Sequence, residues 1–104
     1  MHKNNNQALG NYGIYEIEIN GKTYKIGKAD LDRVIKSSGD PVRIRQQIRK
    51  LRRKYSTQKV YYTILERLFG YTTQEAKAME KAILQEVITQ IGYVPEGNKK
   101  SYKP

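Results

Sequence analysis

The chain has 104 residues, of which 20 are Lys or Arg and 10 are Asp or Glu, with no Cys, no Trp and a single His. A chain of this length forms one domain, which we place at residues 13–104 after a flexible segment over residues 1–12. Disulfides, thiolate zinc sites and histidine triads are excluded. Any catalysis therefore depends on Tyr, Lys, Arg and carboxylates, and no apolar run is long enough to cross a membrane.

Residues 13–27 predict a β-hairpin. Apolar residues alternate with polar ones from Ile14 onward, and residues 22–27 form a second run that is rich in β-forming side chains. The Asn20-Gly21 pair between the two runs supplies the positive φ angles that a tight primed turn requires.

A helix is predicted from Asp40 to about Tyr55, with Asp40 as its N-cap and Pro41 in its first turn. Around it, residues 33–59 contain ten basic side chains and one acid, so we expect a polyanion partner, nucleic acid above all. A solvated helix face is the alternative, although such faces usually carry both signs of charge. The phosphate-binding candidates on this helix are Arg45, Arg49, Lys50, Arg52, Arg53 and Lys54.

Residues 60–65 predict a third strand that extends as far as Phe69, and the capping-box spacing at residues 72–75 predicts a second long helix that ends at Gly92. The expected fold class is α+β: a small three-stranded antiparallel sheet, made of the hairpin and a third strand, flanked by helices. Glu80 falls on the apolar face of the second helix, where a carboxylate is costly. A buried ion pair with an arginine and a metal-ligand role both explain it.

The order of these elements resembles the GIY-YIG nuclease family. The family's first signature stands as written, and Lys25-Ile26-Gly27 occupies the place of its second signature, which normally begins with Tyr. The landmarks of the family that match, in chain order, are Gly13-Ile14-Tyr15, Lys25-Ile26-Gly27, Arg43 with Gln47 four positions later, Glu80, and Asn98 in a Pro-x-Gly-Asn turn. Many members carry His where this chain has Gln47.

The resemblance implies a metal-dependent endonuclease that hydrolyses phosphodiester bonds. Tyr15 would be the nucleophile or would orient the attacking water, and Lys25 would accept a proton. Arg43 would neutralise charge on the phosphorus, and Glu80 would hold Mg²⁺ or Mn²⁺. The expected substrate is DNA, with RNA as the other substrate of the same site. The alternative is a non-catalytic nucleic-acid-binding domain on the same scaffold.

Two positions of the expected site stay open in the sequence. A simple two-residue turn puts Tyr24 on the sheet face of Tyr15, whereas a bulge at Gly21 or Lys22 puts Lys25 there. The spacing from the second signature to Arg43 is longer than in the family, so Arg33 is the other candidate for that role. We expect Lys25 and Arg43, with Tyr24, Arg33, Gln47 and Asn98 as supporting residues.

The chain also resembles the small basic nuclease domains at the C-termini of bacterial polymorphic toxins. That resemblance implies an acidic immunity protein that covers the basic helix. It also implies action in the cytoplasm of the target cell, after delivery as part of a larger secreted toxin. The residues predict no oligomeric state.

Overall fold

A computed structural model describes residues 8–102, which form three strands and two long helices. The elements in chain order are β1 (Leu9–Ile19), β2 (Lys22–Asp30), α1 (Val42–Lys54), β3 (Val60–Thr72), α2 (Thr73–Ile91) and a 3₁₀ turn (Glu96–Asn98). The strands form one antiparallel sheet in the order β2-β1-β3. The predicted α+β class, a three-stranded antiparallel sheet with flanking helices, is therefore confirmed.

Two strands are longer than the sequence predicted. β1 begins at Leu9, so the prediction of a flexible segment is wrong for residues 9–12, and residues 1–7 lie outside the described part. β3 continues beyond Phe69 to Thr72 because Gly70 forms a bulge: Gly10 pairs with Tyr71 and the next residue of β1 pairs with Phe69. Gly70 has φ 71°, which glycine adopts without strain, so the pairing resumes after it.

The hairpin turn has the predicted geometry, with φ 52° at Asn20 and φ 79° at Gly21. Its register contains a bulge, although not at the expected residues. Ile19 pairs with Lys22, but Ile17 pairs with Lys25, so Tyr24 is the extra residue of β2. Beyond this bulge Tyr15 pairs with Gly27, which places Lys25 on the sheet face of Tyr15.

The first helix begins differently from the prediction. Pro41 occupies the N-cap position and no side chain caps the helix, so the predicted N-cap role of Asp40 is wrong. The Asp40 carboxylate instead accepts hydrogen bonds from the Tyr62 hydroxyl at 2.7 Å and from the Arg45 guanidinium at 3.3 Å. The Tyr62 bond anchors the start of α1 to β3, and the Arg45 bond holds the carboxylate against the first turns of the helix.

Each helix covers one face of the sheet. Ile44, Ile48 and Leu51 of α1 pack with Tyr15 and Ile17 of β1. The residues packed on the α2 face are Ile14, Ile26, Leu68, Ala76 and Leu84. α2 has the predicted capping box at Thr72 and Glu75 and ends at Gly92 with φ 84°. Within residues 8–102, no helix has the length and apolar character that a membrane crossing requires.

Candidate active site

A single amide side chain joins the two predicted catalytic residues of the sheet. Lys25 Nζ donates to Gln47 Oε1 at 2.7 Å, and Gln47 Nε2 donates to the Tyr15 hydroxyl at 2.6 Å. Because the Lys25 ammonium can only donate, the oxygen of Gln47 points to Lys25 and its nitrogen to Tyr15. The Tyr15 oxygen therefore accepts from Gln47, and its own O–H remains able to donate to a ligand.

The Tyr15 ring lies over the backbone of β2. Only 1% of Tyr15 is exposed, and Gly27 stands opposite it in the sheet. A Cβ at Gly27 would lie 2.4 Å from both the phenol oxygen and Cζ of Tyr15. The absence of a side chain at Gly27 thus creates the space in which the phenol is held.

Burial changes the acid–base properties of both groups. Burial raises the pKa of the Tyr15 phenol, which outweighs the lowering by the Gln47 hydrogen bond and by the charge of Arg43. The pKa of Lys25 is lowered by burial first and by the positive charge of Arg43 second, while the Glu80 carboxylate acts in the opposite direction. Tyr15 is thereby kept neutral, and Lys25 loses its proton at a lower pH than an exposed lysine does.

Glu80 approaches this group from α2, where it is half-buried. Burial raises the pKa of Glu80, and the positive charges of Lys28, Lys25 and Arg43 oppose that shift, in decreasing order. Lys28 was not among the predicted site residues. It pairs with Ile14 in the sheet, on the face that α2 covers, and its ammonium lies 4.8 Å from the centre of the Tyr12 ring.

The Glu80 carboxylate has no ion pair within 4.0 Å and no hydrogen bond among residues 8–102. An arginine pair, one of the two explanations for its position, is therefore not formed within that range. In the same range no three His, Cys, Asp or Glu side chains cluster around a potential metal position. One accessible carboxylate fits Mg²⁺ that keeps several waters and shares substrate phosphate oxygens, rather than an ion held by protein ligands alone.

The structure separates the two candidate arginines. Arg43, in the first turn of α1, has an exposed side chain whose charge acts on Tyr15, Lys25 and Glu80. Arg33 lies exposed in the loop between β2 and α1 and affects none of these three pKa values. Arg43 therefore lies at the group, and Arg33 lies outside it.

Two further predicted residues lie in or against the edge strand β2. Asn98 is buried, and its amide accepts from the Ile26 N–H and donates to the Ile26 carbonyl, each at 2.8 Å. It continues the hydrogen bonding of the sheet where β2 would otherwise have an open edge, next to Lys25. Tyr24 packs edge to face on Tyr55 with ring centres 6.3 Å apart, so its ring is engaged there.

The basic side chains of α1 divide into two groups. Arg49, Lys50 and Arg53, with Gln46, line an open groove of about 550 Å³ on the exposed side of the helix. Arg52 donates to the Val60 carbonyl at 3.0 and 3.3 Å. The other two residues of the predicted set are Arg45, which is paired with Asp40, and Lys54, which lies against the Tyr55 ring. The groove therefore presents its cations to solvent, whereas Arg45 and Arg52 hold the fold.

Hydrogen bonds join Tyr15, Gln47 and Lys25, the charges of Arg43 and Glu80 act on Tyr15 and Lys25, and the charge of Lys28 acts on Glu80. Comparison with protein-family models, with curated proteins and with solved structures finds no match. The GIY-YIG resemblance thus rests on the motif residues themselves. Lys28 could have been found from the sequence, because it directly follows the second signature and alternates to the face opposite Tyr15.

Proposed function

We propose that this chain is a divalent-metal-dependent endonuclease that hydrolyses phosphodiester bonds in DNA through a GIY-YIG-type site. The observation that carries the proposal is the Gln47 amide that joins Lys25 Nζ to the Tyr15 hydroxyl. The charges of Arg43 and Glu80 act on both of these groups, so a phosphate bound there would lie in the field of all four side chains. A solvated or purely structural role does not require such a convergence of perturbed groups.

In the proposed reaction, a water oxygen bonds to phosphorus and the bond from phosphorus to the leaving oxygen breaks. The proton of the water passes to the neutral amine of Lys25, and the leaving oxygen takes a proton from solvent. The lowered pKa of Lys25 increases the fraction of amine that can accept the proton. Because burial raises the pKa of Tyr15, its phenol acts as a neutral hydrogen-bond donor that orients the water or a phosphate oxygen.

Two groups would stabilise the negative charge that develops on the phosphate oxygens during the reaction. Arg43 supplies a permanently charged, forked donor for the phosphate oxygens. Glu80 would hold Mg²⁺ or Mn²⁺, which when bound supplies positive charge to the leaving oxygen. The cations around Glu80 disfavour a divalent ion in the absence of a phosphate, so the ion and the substrate are expected to bind together.

DNA is the proposed substrate, and the groove on α1 offers cations for its phosphate backbone. Arg49, Lys50 and Arg53 are exposed and point to the same groove, which is suited to the phosphate backbone rather than to bases. The same contacts accept RNA, so the two substrates are compared directly in the test.

The test is incubation of supercoiled plasmid with the protein in Mg²⁺, in Mn²⁺ or in EDTA, with a labelled RNA of matched length in parallel. Arg43→Gln serves as the inactive variant and Arg33→Gln as its matched control. The proposal predicts nicking that requires the ion, is lost in Arg43→Gln and is kept in Arg33→Gln. Full binding of the plasmid without cleavage in either ion would contradict it and would support the non-catalytic binding domain.

A further inference from the structure

A cleft of about 360 Å³ opens beside the candidate active site, at the hairpin-turn end of β2. Three tyrosine rings line it: Tyr24 from β2, Tyr55 directly after α1 and Tyr93 after α2. Tyr24 and Tyr55 meet edge to face, and Tyr93 is 45% exposed. This volume lies in the range of small-ligand sites. None of the three rings takes part in the hydrogen bonds that join Tyr15, Gln47 and Lys25, here called the Tyr15 group.

The rim of this cleft is basic. Lys22 and Lys99 line it, and the Lys54 ammonium lies 5.4 Å from the centre of the Tyr55 ring. Among the lining residues of the described part of the chain, Glu96 alone is acidic, and it is paired with Lys99 at 2.8 Å. The cleft therefore combines aromatic faces with cations, which is the pattern of a site that stacks bases beside a phosphate backbone.

The cleft is continuous with the site. Tyr24 precedes Lys25, and both pack on Gly97, where an added Cβ would lie 2.8 Å from each side chain. Along α1, the row that starts at Arg43 and Gln47 continues at the same helical spacing to Lys54, against the Tyr55 ring. This row spans about 16 Å, a length that a few nucleotides of an extended strand cover.

We infer that the cleft holds an unpaired nucleobase of the substrate strand, a few nucleotides from the phosphate at Tyr15. The inference rests on the proposed nuclease function and specifies its preferred substrate as a single-stranded or partly unpaired nucleic acid. Tyrosine faces stack on any base, whereas a base inside a duplex is already paired and stacked. An unpaired base can therefore stack on these rings, whereas the bases inside a duplex cannot.

The test measures binding in EDTA, so that it does not depend on cleavage. Fluorescence anisotropy gives the Kd of a labelled duplex that carries a single-stranded DNA overhang, and of the same duplex with an abasic overhang of equal length. The two differ in bases and not in phosphates. Tyr93→Ala removes one ring, Tyr93→Trp keeps an aromatic face, and Tyr61→Ala is the matched control, because Tyr61 is 42% exposed on β3.

The wild-type chain is expected to bind the overhang with bases about tenfold more tightly than the abasic one. Tyr93→Ala should remove this difference, while Tyr93→Trp and Tyr61→Ala should keep it. Equal affinity for the two overhangs in the wild type, or an unchanged preference in Tyr93→Ala, would overturn the inference.

An RNA overhang on the same duplex tests whether the cleft accepts a base from DNA, from RNA or from both. A preference for bases that depends on Tyr93 in DNA, in RNA or in both supports the cleft and identifies the sugar that it accepts. Failure of the nuclease proposal is a separate result: it appears as a lack of metal-dependent nicking and leaves the binding comparison intact.

Discussion

Tyr15 and Gly27 stand opposite each other on β1 and β2, and the phenol of Tyr15 fills the space where a side chain at position 27 would lie. The added Cβ of an alanine would be 2.4 Å from the phenol oxygen. The added Cβ is fixed to the backbone of β2, which is paired with β1 and cannot move away, so the Tyr15 ring must shift instead. The position of the proposed reacting hydroxyl is thus coupled to the glycine of the second signature.

Gly27→Ala is expected to lower the cleavage rate by about 100-fold, because displacement of the Tyr15 hydroxyl by about 1 Å breaks its alignment with the phosphate. The free energy of unfolding should fall by about 1–3 kcal/mol from overpacking. Single-turnover cleavage and urea denaturation measure the two effects. Gly21→Ala is the control: it strains a residue with φ 79° but meets no atom within 4 Å, so it should lose stability and keep the rate.

Gln47→Glu should move the pH–rate profile to higher pH. A carboxylate beside Lys25 favours the ammonium form and raises the pKa of Lys25, so less neutral amine is present at a given pH. Gln46→Glu adds the same charge one residue earlier, on the side of the groove, and should weaken DNA binding without moving the profile. An unshifted profile in Gln47→Glu at saturating substrate would remove Lys25 from the role of proton acceptor.

Glu80→Gln is expected to abolish cleavage and to stabilise the fold. Because burial raises the pKa of Glu80 above its usual 4.5, the folded state binds more protons than the unfolded state between pH 4.5 and the raised pKa. Stability therefore falls as pH rises through that window, and the penalty persists at pH 7.

Removal of this charge should raise the free energy of unfolding at pH 7 and leave it unchanged below pH 4. Thermal unfolding of the variant and of Glu86→Gln, an exposed change on the same helix, at both pH values measures the difference. A gain of equal size at both pH values would show that ionisation of Glu80 is not its cause.

Replacement of the three groove cations by glutamine (R49Q/K50Q/R53Q) should weaken plasmid binding and reduce its salt dependence. The slope of log Kd against log salt is expected to fall by about 0.9 for each phosphate that the variant no longer neutralises. Cleavage at saturating DNA should stay unchanged, because these side chains lie outside the Tyr15 group. The control is a variant with Lys36, Lys81 and Lys100 changed to glutamine. It has the same net charge as the groove variant and should bind the plasmid as the wild type does.

The sequence predicted the elements of the fold well because its strongest signals are local. The Asn20-Gly21 turn and the Thr72–Glu75 capping box each need only a few neighbouring residues, and both are formed. Asp40 was misplaced because its partner, Tyr62, is distant in sequence. The Tyr62 phenol, which only the tertiary structure brings near, and Arg45 of the first helix turns hold the Asp40 carboxylate instead of the local backbone N–H groups.

The predicted site residues include those that come together, but the choice between the alternatives and the contacts of each residue depend on packing. Lys25 rather than Tyr24 shares a face with Tyr15 because β2 bulges at Tyr24, whereas the sequence suggested a bulge at Gly21 or Lys22. The bridging role of Gln47 was also beyond the sequence, since it depends on the distance between a helix and two strands. Lys28 is the opposite case: strand alternation alone places it on the face that α2 covers, so the sequence was sufficient to find it.

The most direct measurement of the central claim is metal-dependent nicking by the wild type, Tyr15→Phe, Glu80→Gln and the double variant under one set of conditions. If the two residues serve one reaction, each single variant loses nearly all activity and the double variant is no slower than the slower single variant. Losses that multiply in the double variant, or nicking by Glu80→Gln at the wild-type rate in Mg²⁺, would contradict a single site formed around Tyr15.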